Sequence, residues 1–172
     1  MKNMSEQHSN TVPVDSAYVA HLWEYPDLTL AMFGLQVHEE AAGAAYFEAG
    51  IEEQVLESLR QEPGVLCVRD FPEGNGGVQL QYWRSHEELA DFSKRMPHMA
   101  WWKWLIEHDG QGLSFYHEIY RCKTAEAVFE KGMPPIGPGS FCTTSSTELG
   151  GNRSVERQQR FLDAQSQLWG QT

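Results

Sequence analysis

The chain has 172 residues, of which 41% are hydrophobic and 12% aromatic, so it can form the core of one domain. It holds 13 Lys and Arg against 24 Asp and Glu, and the formal net charge of −11 argues against a nucleic-acid partner, which would need a basic face. No apolar run is long enough for a membrane span, and the polar start MKNMSEQHSNT lacks the apolar segment of a secretory signal, so we expect a cytoplasmic protein. Cys67, Cys122 and Cys142 are odd in number and form no CxxC pair, which predicts reduced thiols and no zinc site.

The first third of the chain predicts an arm, a strand and a helix. Residues 1–18 are polar without periodicity, which is typical of a flexible N-terminal arm. The apolar run over 28–40 predicts a central strand covered on both faces. Apolar residues recur at helical spacing over 41–63, and the Pro-Gly pair that follows ends this predicted helix.

A predicted hairpin comes next. Its strands cover 65–71 and 78–85, and the Asn-Gly pair within 72–77 predicts the centre of the turn.

Two helical segments and a strand follow the hairpin. Ser85 is a favourable N-cap for a helix, Pro97 ends that helix, and His98 begins the next one. Alternating side chains over 112–122 predict another strand.

The C-terminal part is less regular. We expect a short helix over 125–131, a polar flexible segment over 143–153, and a candidate helix over 154–169 with a thin apolar stripe.

The order of elements is β-α-β-β-α-β, the ferredoxin-like split βαβ pattern of an α+β protein. We assign the domain to 19–140 and a C-terminal tail to 141–172. Helices cover one face of such a sheet, and the other face would carry large apolar and aromatic side chains here. We therefore expect a homodimer whose two sheets form an α+β barrel.

Four short motifs carry a family resemblance over about residues 28–140. The chain resembles the dimeric α+β barrel monooxygenases, which are related to antibiotic-biosynthesis monooxygenases, and within them a subgroup similar to a fungal terpenoid-pathway enzyme. The motifs, in order, are Tyr82-Trp83-Arg84-Ser85, Pro97-His98, His117-Glu118-Ile119-Tyr120 and Met133-Pro134-Pro135-Ile136-Gly137.

The resemblance implies one of several activities. Relatives on this fold oxidise electron-rich substrates with O2 and no cofactor, bind haem, or catalyse isomerisation without redox chemistry. The segment over 37–50 departs from the subgroup, so the substrate stays open. A non-catalytic ligand-binding protein is a further alternative.

His98 is the first candidate for catalysis. Helical spacing places His98, Trp101 and Trp102 on one face. Desolvation by aromatic neighbours would favour a neutral imidazole, which suits a general base. The resemblance also allows an axial haem ligand, and a hydrogen-bonded core histidine is the structural alternative.

His117 and Glu118 are the other catalytic candidates. They point to opposite faces of a strand, so both cannot line one pocket. Either His117 lies against the helices and Glu118 lies with Tyr116 and Tyr120 in the barrel, or the assignment is reversed. The two tyrosines are candidate substrate-binding residues.

The end of the second hairpin strand supplies three more candidate substrate-binding residues. Tyr82 and Trp83 would form pocket wall or core, and Arg84 either pairs with an acidic neighbour or faces a substrate enolate.

These observations predict a cofactor-independent monooxygenase-like enzyme that acts on a hydrophobic specialised metabolite. A base would form a delocalised carbanion, and the carbanion would react with O2 in a dry pocket. No flavin, nicotinamide or metal is expected, because no dinucleotide fingerprint or metal-ligand spacing occurs.

Overall fold

The computed structural model describes residues 15–170. Most of the predicted N-terminal arm therefore lies outside the described residues. Its helices and strands run, in chain order, as follows: β1 Tyr18–Ala20, a 3-10 turn Leu22–Glu24, β2 Thr29–Val37, α1 Glu40–Glu48, α2 Ile51–Gln61, β3 Val65–Glu73, β4 Gly76–Trp83, α3 His86–Ser93, α4 His98–Glu107, β5 Leu113–Arg121, β6 Ala127–Phe129, α5 Pro138–Phe141, β7 Thr144–Ser146, α6 Thr147–Gly150 and α7 Ser154–Trp169.

Contacts divide these elements into two compact units. One unit is formed by residues 27–123, and the other by the described residues before 27 and after 123. The sequence placed the boundaries at 19 and 140 instead. The grouping differs because β1 pairs with β6 and β7 and takes no part in the larger sheet. Within the described residues, no helix is both long and apolar enough to cross a membrane.

The unit of residues 27–123 has the ferredoxin-like fold predicted from the sequence. Its four strands lie in the order β3-β4-β2-β5, and every neighbouring pair is antiparallel. β2 is central, as its apolar sequence predicted. The apolar side chains of the helices pack on one face of this sheet, around Trp83, Leu59 and Leu105, which are at most 2% exposed.

The predicted helix over 41–63 is wrong in one respect, because it consists of two helices. Gly50 lies between them with a φ of 61°, in the left-handed region that only glycine adopts without strain. The periodic apolar residues continue across this break, so the spacing alone did not reveal it.

The hairpin between β3 and β4 is present, but its turn is centred one residue earlier than predicted. Glu73 pairs with Gly76, so Gly74 and Asn75 form the two-residue loop. The predicted cap at Ser85 is confirmed, because its hydroxyl accepts a hydrogen bond from the Glu88 amide at 3.2 Å.

The second unit contains a three-stranded antiparallel sheet in the order β6-β1-β7 and the long helix α7. The helix predicted over 154–169 is confirmed. The helix predicted over 125–131 is wrong, because this segment forms β6, and the polar segment over 143–153 contains β7 and α6. The two strands β6 and β7 are ordered by pairing with β1, a long-range contact that local sequence does not encode.

Candidate active site

The register of the four-stranded sheet fixes which side chains share a face. On the face toward the helices, Phe33 of β2 lies between Gln79 of β4 and His117 of β5. Strand alternation places Glu118 on the opposite face, where its carboxylate accepts a hydrogen bond from the Tyr120 hydroxyl. Of the two assignments that the sequence left open, the structure therefore adopts the one with His117 toward the helices.

A pocket of about 1070 Å³ lies within the unit of residues 27–123, between this face of the sheet and the helices. Its size is at the upper end of small-molecule sites. The wall is mainly apolar, with side chains that include Phe33, Leu35, Val55, Leu56, Leu59, Leu89, Phe92, Trp101 and Trp102.

His98 lines this pocket from the first turn of α4. Its Nδ1 lies 3.0 Å from the Ser93 carbonyl oxygen. A carbonyl can only accept a hydrogen bond, so Nδ1 carries the proton and Nε2 keeps its lone pair. Among the described residues Nε2 has no hydrogen-bond partner, which leaves it able to take a proton from a ligand.

The surroundings of His98 favour its neutral form. Its ring makes edge contacts with Phe92 and Trp101, with ring centroids 5.6 and 5.5 Å away. Burial lowers the pKa of His98, the hydrogen bond to Ser93 opposes this in part, and the charge of nearby His117 lowers it further. A neutral imidazole in an apolar pocket is the state that a general base needs.

His117 lies in the same pocket, and its ring contacts Trp102 of α4. The Trp102 ring meets the His117 ring edge to face at 5.3 Å and also contacts Phe115 at 5.7 Å. Trp101 and Trp102 therefore both line the pocket, as their spacing from His98 predicted. Trp104 instead stacks on His108 at 3.9 Å, outside the pocket.

Glu52 is a pocket residue that the sequence analysis missed. It lies in the first turn of α2, is half-buried, and hydrogen-bonds with the Tyr46 hydroxyl, which also accepts a bond from Trp101 Nε1 at 3.1 Å. Burial raises the pKa of Glu52, and the negative charge of Asp70 raises it further, while the bond to Tyr46 opposes the shift. In the sequence Glu52 resembles any acidic residue on an exposed helix face, so no local signal marked it.

Gln79 and Gln81 were also missed. Their side chains line the pocket from β4 and form a hydrogen-bonded row with Trp83 and Asp70. The alternation of side chains along β4 could have indicated them, since both glutamines share a strand face with the buried Trp83.

Five predicted substrate-binding residues lie outside the pocket wall. Trp83 is fully buried in the core, and Arg84 makes an ion pair with Glu88 at 3.5 Å and donates to the Pro63 carbonyl. The other three, Tyr82, Tyr116 and Tyr120, point to the opposite face of the sheet. Glu118 borders the pocket, but its carboxylate is on that opposite face with Tyr120.

The described residues contain no cluster of three or more His, Cys, Asp or Glu side chains that could hold a metal ion. The fold and the site thus define a ferredoxin-like α+β protein with an apolar pocket and a neutral histidine in its wall. Residues 33–137 match the family model described as "Monooxygenase af470-like", and the chain belongs to this family. The fungal subgroup named above stays a prediction.

Several solved structures are similar to the chain at low identity. SnoaB from Streptomyces nogalater, described as a cofactor-independent oxygenase, is 15% identical with a TM-score of 0.44, covering 58% of this chain and 96% of that one. A conserved protein from Methanosarcina mazei is 15% identical with a TM-score of 0.47, covering 59% and 100%. Rv0793 from Mycobacterium tuberculosis is 12% identical with a TM-score of 0.43, covering 56% and 99%. No curated protein matches the chain.

Proposed function

We propose that the protein is a cofactor-independent monooxygenase that oxidises a hydrophobic specialised metabolite with O2. The observation that carries this proposal is His98, whose Nδ1 is occupied by a backbone carbonyl while its Nε2 is free in a large apolar pocket. Membership of the monooxygenase af470-like family supports an oxidoreductase.

The chemistry begins at a weakly acidic C–H bond of the substrate. His98 Nε2 takes the proton, and the electron pair stays on the substrate as a delocalised carbanion. The carbanion transfers an electron to O2, and recombination forms a C–O bond to a peroxide. Loss of water from the peroxide gives a ketone, so a CH2 group and O2 become a C=O group and H2O without an outside reductant.

The pocket suits this sequence of steps. Trp101, Trp102 and Phe33 give flat apolar contact area for a polycyclic substrate. A ligand that fills the pocket would exclude water from the carbanion and from the peroxide. Burial is the main reason that the pKa of His98 is lowered, which keeps the imidazole neutral before the reaction, and the electrostatic effect of nearby His117 acts in the same direction.

We also propose that the protein is a homodimer. The sheet face away from the helices carries Phe71, Tyr116 and Tyr120, which remain 39%, 38% and 51% exposed. An aromatic sheet face of this kind is typical of a surface that packs on another protein.

The experiment that tests the activity is O2 uptake with anthrone, a flat tricyclic ketone with an acidic CH2 group. The wild-type protein should consume one O2 per anthraquinone formed, and His98→Gln should lower kcat by about 100-fold or more because general-base catalysis typically contributes that much. His108→Gln is the matched control, since His108 caps the C-terminal end of the same helix and its Nδ1 also bonds to a backbone carbonyl, at 2.8 Å. Equal rates for wild type and His98→Gln would exclude His98 as the base.

A haem enzyme is the competing function, because the same free Nε2 could coordinate iron. Its Nδ1–carbonyl bond is the orienting contact that haem-ligating and metal-ligating histidines use. Reconstitution with haem distinguishes the two. A Soret band in the wild type that His98→Gln removes would favour the haem enzyme, whereas a colourless protein that consumes O2 with anthrone supports the proposal.

A further inference from the structure

A row of four polar side chains crosses the pocket wall along β4 and onto β3. Trp83 Nε1 donates to Gln81 Oε1 at 2.9 Å, Gln81 Nε2 donates to Gln79 Oε1 at 2.7 Å, and Gln79 Nε2 donates to Asp70 Oδ1 at 2.9 Å. Gln79, Gln81 and Asp70 line the same pocket as His98. The mechanism derived above uses none of these groups.

The two ends of the row fix the orientation of both amides. An indole N–H can only donate, so the Gln81 oxygen must face Trp83 and its NH2 group must face Gln79. A carboxylate can only accept, so the NH2 group of Gln79 must face Asp70. The orientations required at the two ends agree at the bond between the glutamines, so neither amide can flip without breaking a bond.

Each of these NH2 groups has two hydrogens and uses only one within the row. Among the described residues no other acceptor binds Gln79 or Gln81 Nε2, so each amide retains one N–H for a ligand. An apolar ligand that fills the pocket removes water from both groups. Leaving a buried donor without a partner is unfavourable, so a ligand with a suitably placed acceptor is favoured over one without it.

We propose that Gln79 and Gln81 bind a carbonyl oxygen of the substrate, so the substrate class is an apolar polycyclic ketone. This inference rests on the proposed function, because it names the substrate of that site. A carbonyl conjugated with the acidic C–H bond receives negative charge when His98 removes the proton. N–H donors aimed at that oxygen then stabilise the enolate more strongly than the ketone.

The test is a binding comparison of two probes that differ at one position. Fluorenone and fluorene are flat tricyclic molecules of nearly equal size, with a C=O group in one and a CH2 group in the other. Equilibrium dialysis should show that the wild-type protein binds fluorenone about tenfold more tightly, the value expected for one or two net hydrogen bonds. The infrared carbonyl stretch of bound fluorenone should move to lower wavenumber than in a hydrocarbon solvent.

Two variants examine the row itself. Gln79→Met removes one donor and leaves Gln81 to accept the bond from Trp83, so the core contact is kept. Gln81→Glu keeps an acceptor for Trp83 but removes its own donor, and it covers the case in which Gln79→Met fails to fold. Each variant removes one of the two donors, so each should reduce the preference for fluorenone and shift the carbonyl stretch part of the way back, while the affinity for fluorene changes less than threefold. Gln61→Met is the matched control, because Gln61 is exposed on α2 and, among residues 15–170, its side chain bonds only to Glu57.

Equal binding of the two probes by the wild type, no measurable binding of fluorenone, or an unchanged preference in both variants would overturn the inference. This outcome is distinct from failure of the proposed function. Probe preference requires no reaction, whereas O2 uptake with anthrone requires His98. A protein that selects fluorenone through Gln79 but oxidises nothing would retain the ketone site and lose the oxygenase assignment.

Discussion

At the scale of single residues, the lowered pKa of His98 predicts how the proposed reaction depends on pH. Burial is the main cause of this shift, so the imidazole stays neutral to a lower pH than an ordinary histidine, whose pKa is about 6.5. We expect the acid limb of kcat/KM for anthrone to have its midpoint below about 6.5, and to be absent in His98→Gln. An acid limb centred above that value would contradict a buried neutral base.

The same shift has a consequence for stability. As the pH falls, the unfolded chain takes up a proton at this residue before the folded chain does, so the free energy of unfolding decreases. The contribution of His98 to the free energy of unfolding is therefore complete above its unfolded-state pKa and is lost as the pH falls through the folded-state pKa.

The sequence predicted that His98 lies beside two tryptophans, but it revealed only part of the polar wall of the pocket. His98, Trp101 and Trp102 could be found because helical spacing is local and Pro97 marks where the helix begins. Glu52 could not, because its position in the pocket depends on packing between α2 and the sheet. Strand alternation placed Gln79 on the face of Trp83 but did not show that this face forms a pocket wall.

At the scale of elements, the long apolar strand β2 and the hairpin were predictable, whereas the break at Gly50 and the strands β6 and β7 were not. β2 has its own apolar signal, and the hairpin has its own turn residues. β6 and β7 are three residues each and exist because both pair with β1. A second long-range contact lies on the sheet face away from the helices, which we call the open face. There the ring of Tyr116 covers Gly34 so closely that a Cβ at residue 34 would lie 2.1 Å from the ring.

This open face supports a prediction about assembly. Leu80 lies on it, opposite Met32 of the central strand, and a charge there would face its own copy across a dimer interface. We expect the wild type to sediment as a dimer and Leu80→Arg to sediment as a folded monomer, with circular dichroism confirming the fold. Leu168→Arg is the control, because Leu168 is 46% exposed on α7. A wild type that is monomeric at micromolar concentration would contradict the proposed dimer.

At the scale of the whole molecule, the fold class followed from the order of elements, and the family resemblance agrees with the matched family over residues 33–137. The bounds of the two compact units could not be derived from the order of elements, because contacts join the start of the chain to residues after 123. The cytoplasmic location and the specialised-metabolite substrate stay predictions.

We infer that His98 removes a carbon-bound proton before O2 reacts. Proton exchange can be measured without O2, by following the loss of the anthrone CH2 signal by NMR in D2O under nitrogen at a pH near 6. We predict that the wild-type protein and His108→Gln accelerate this exchange above the buffer rate, and that His98→Gln does not. Exchange at the wild-type rate in His98→Gln, or no acceleration by a wild type that still consumes O2 with anthrone, would contradict the account.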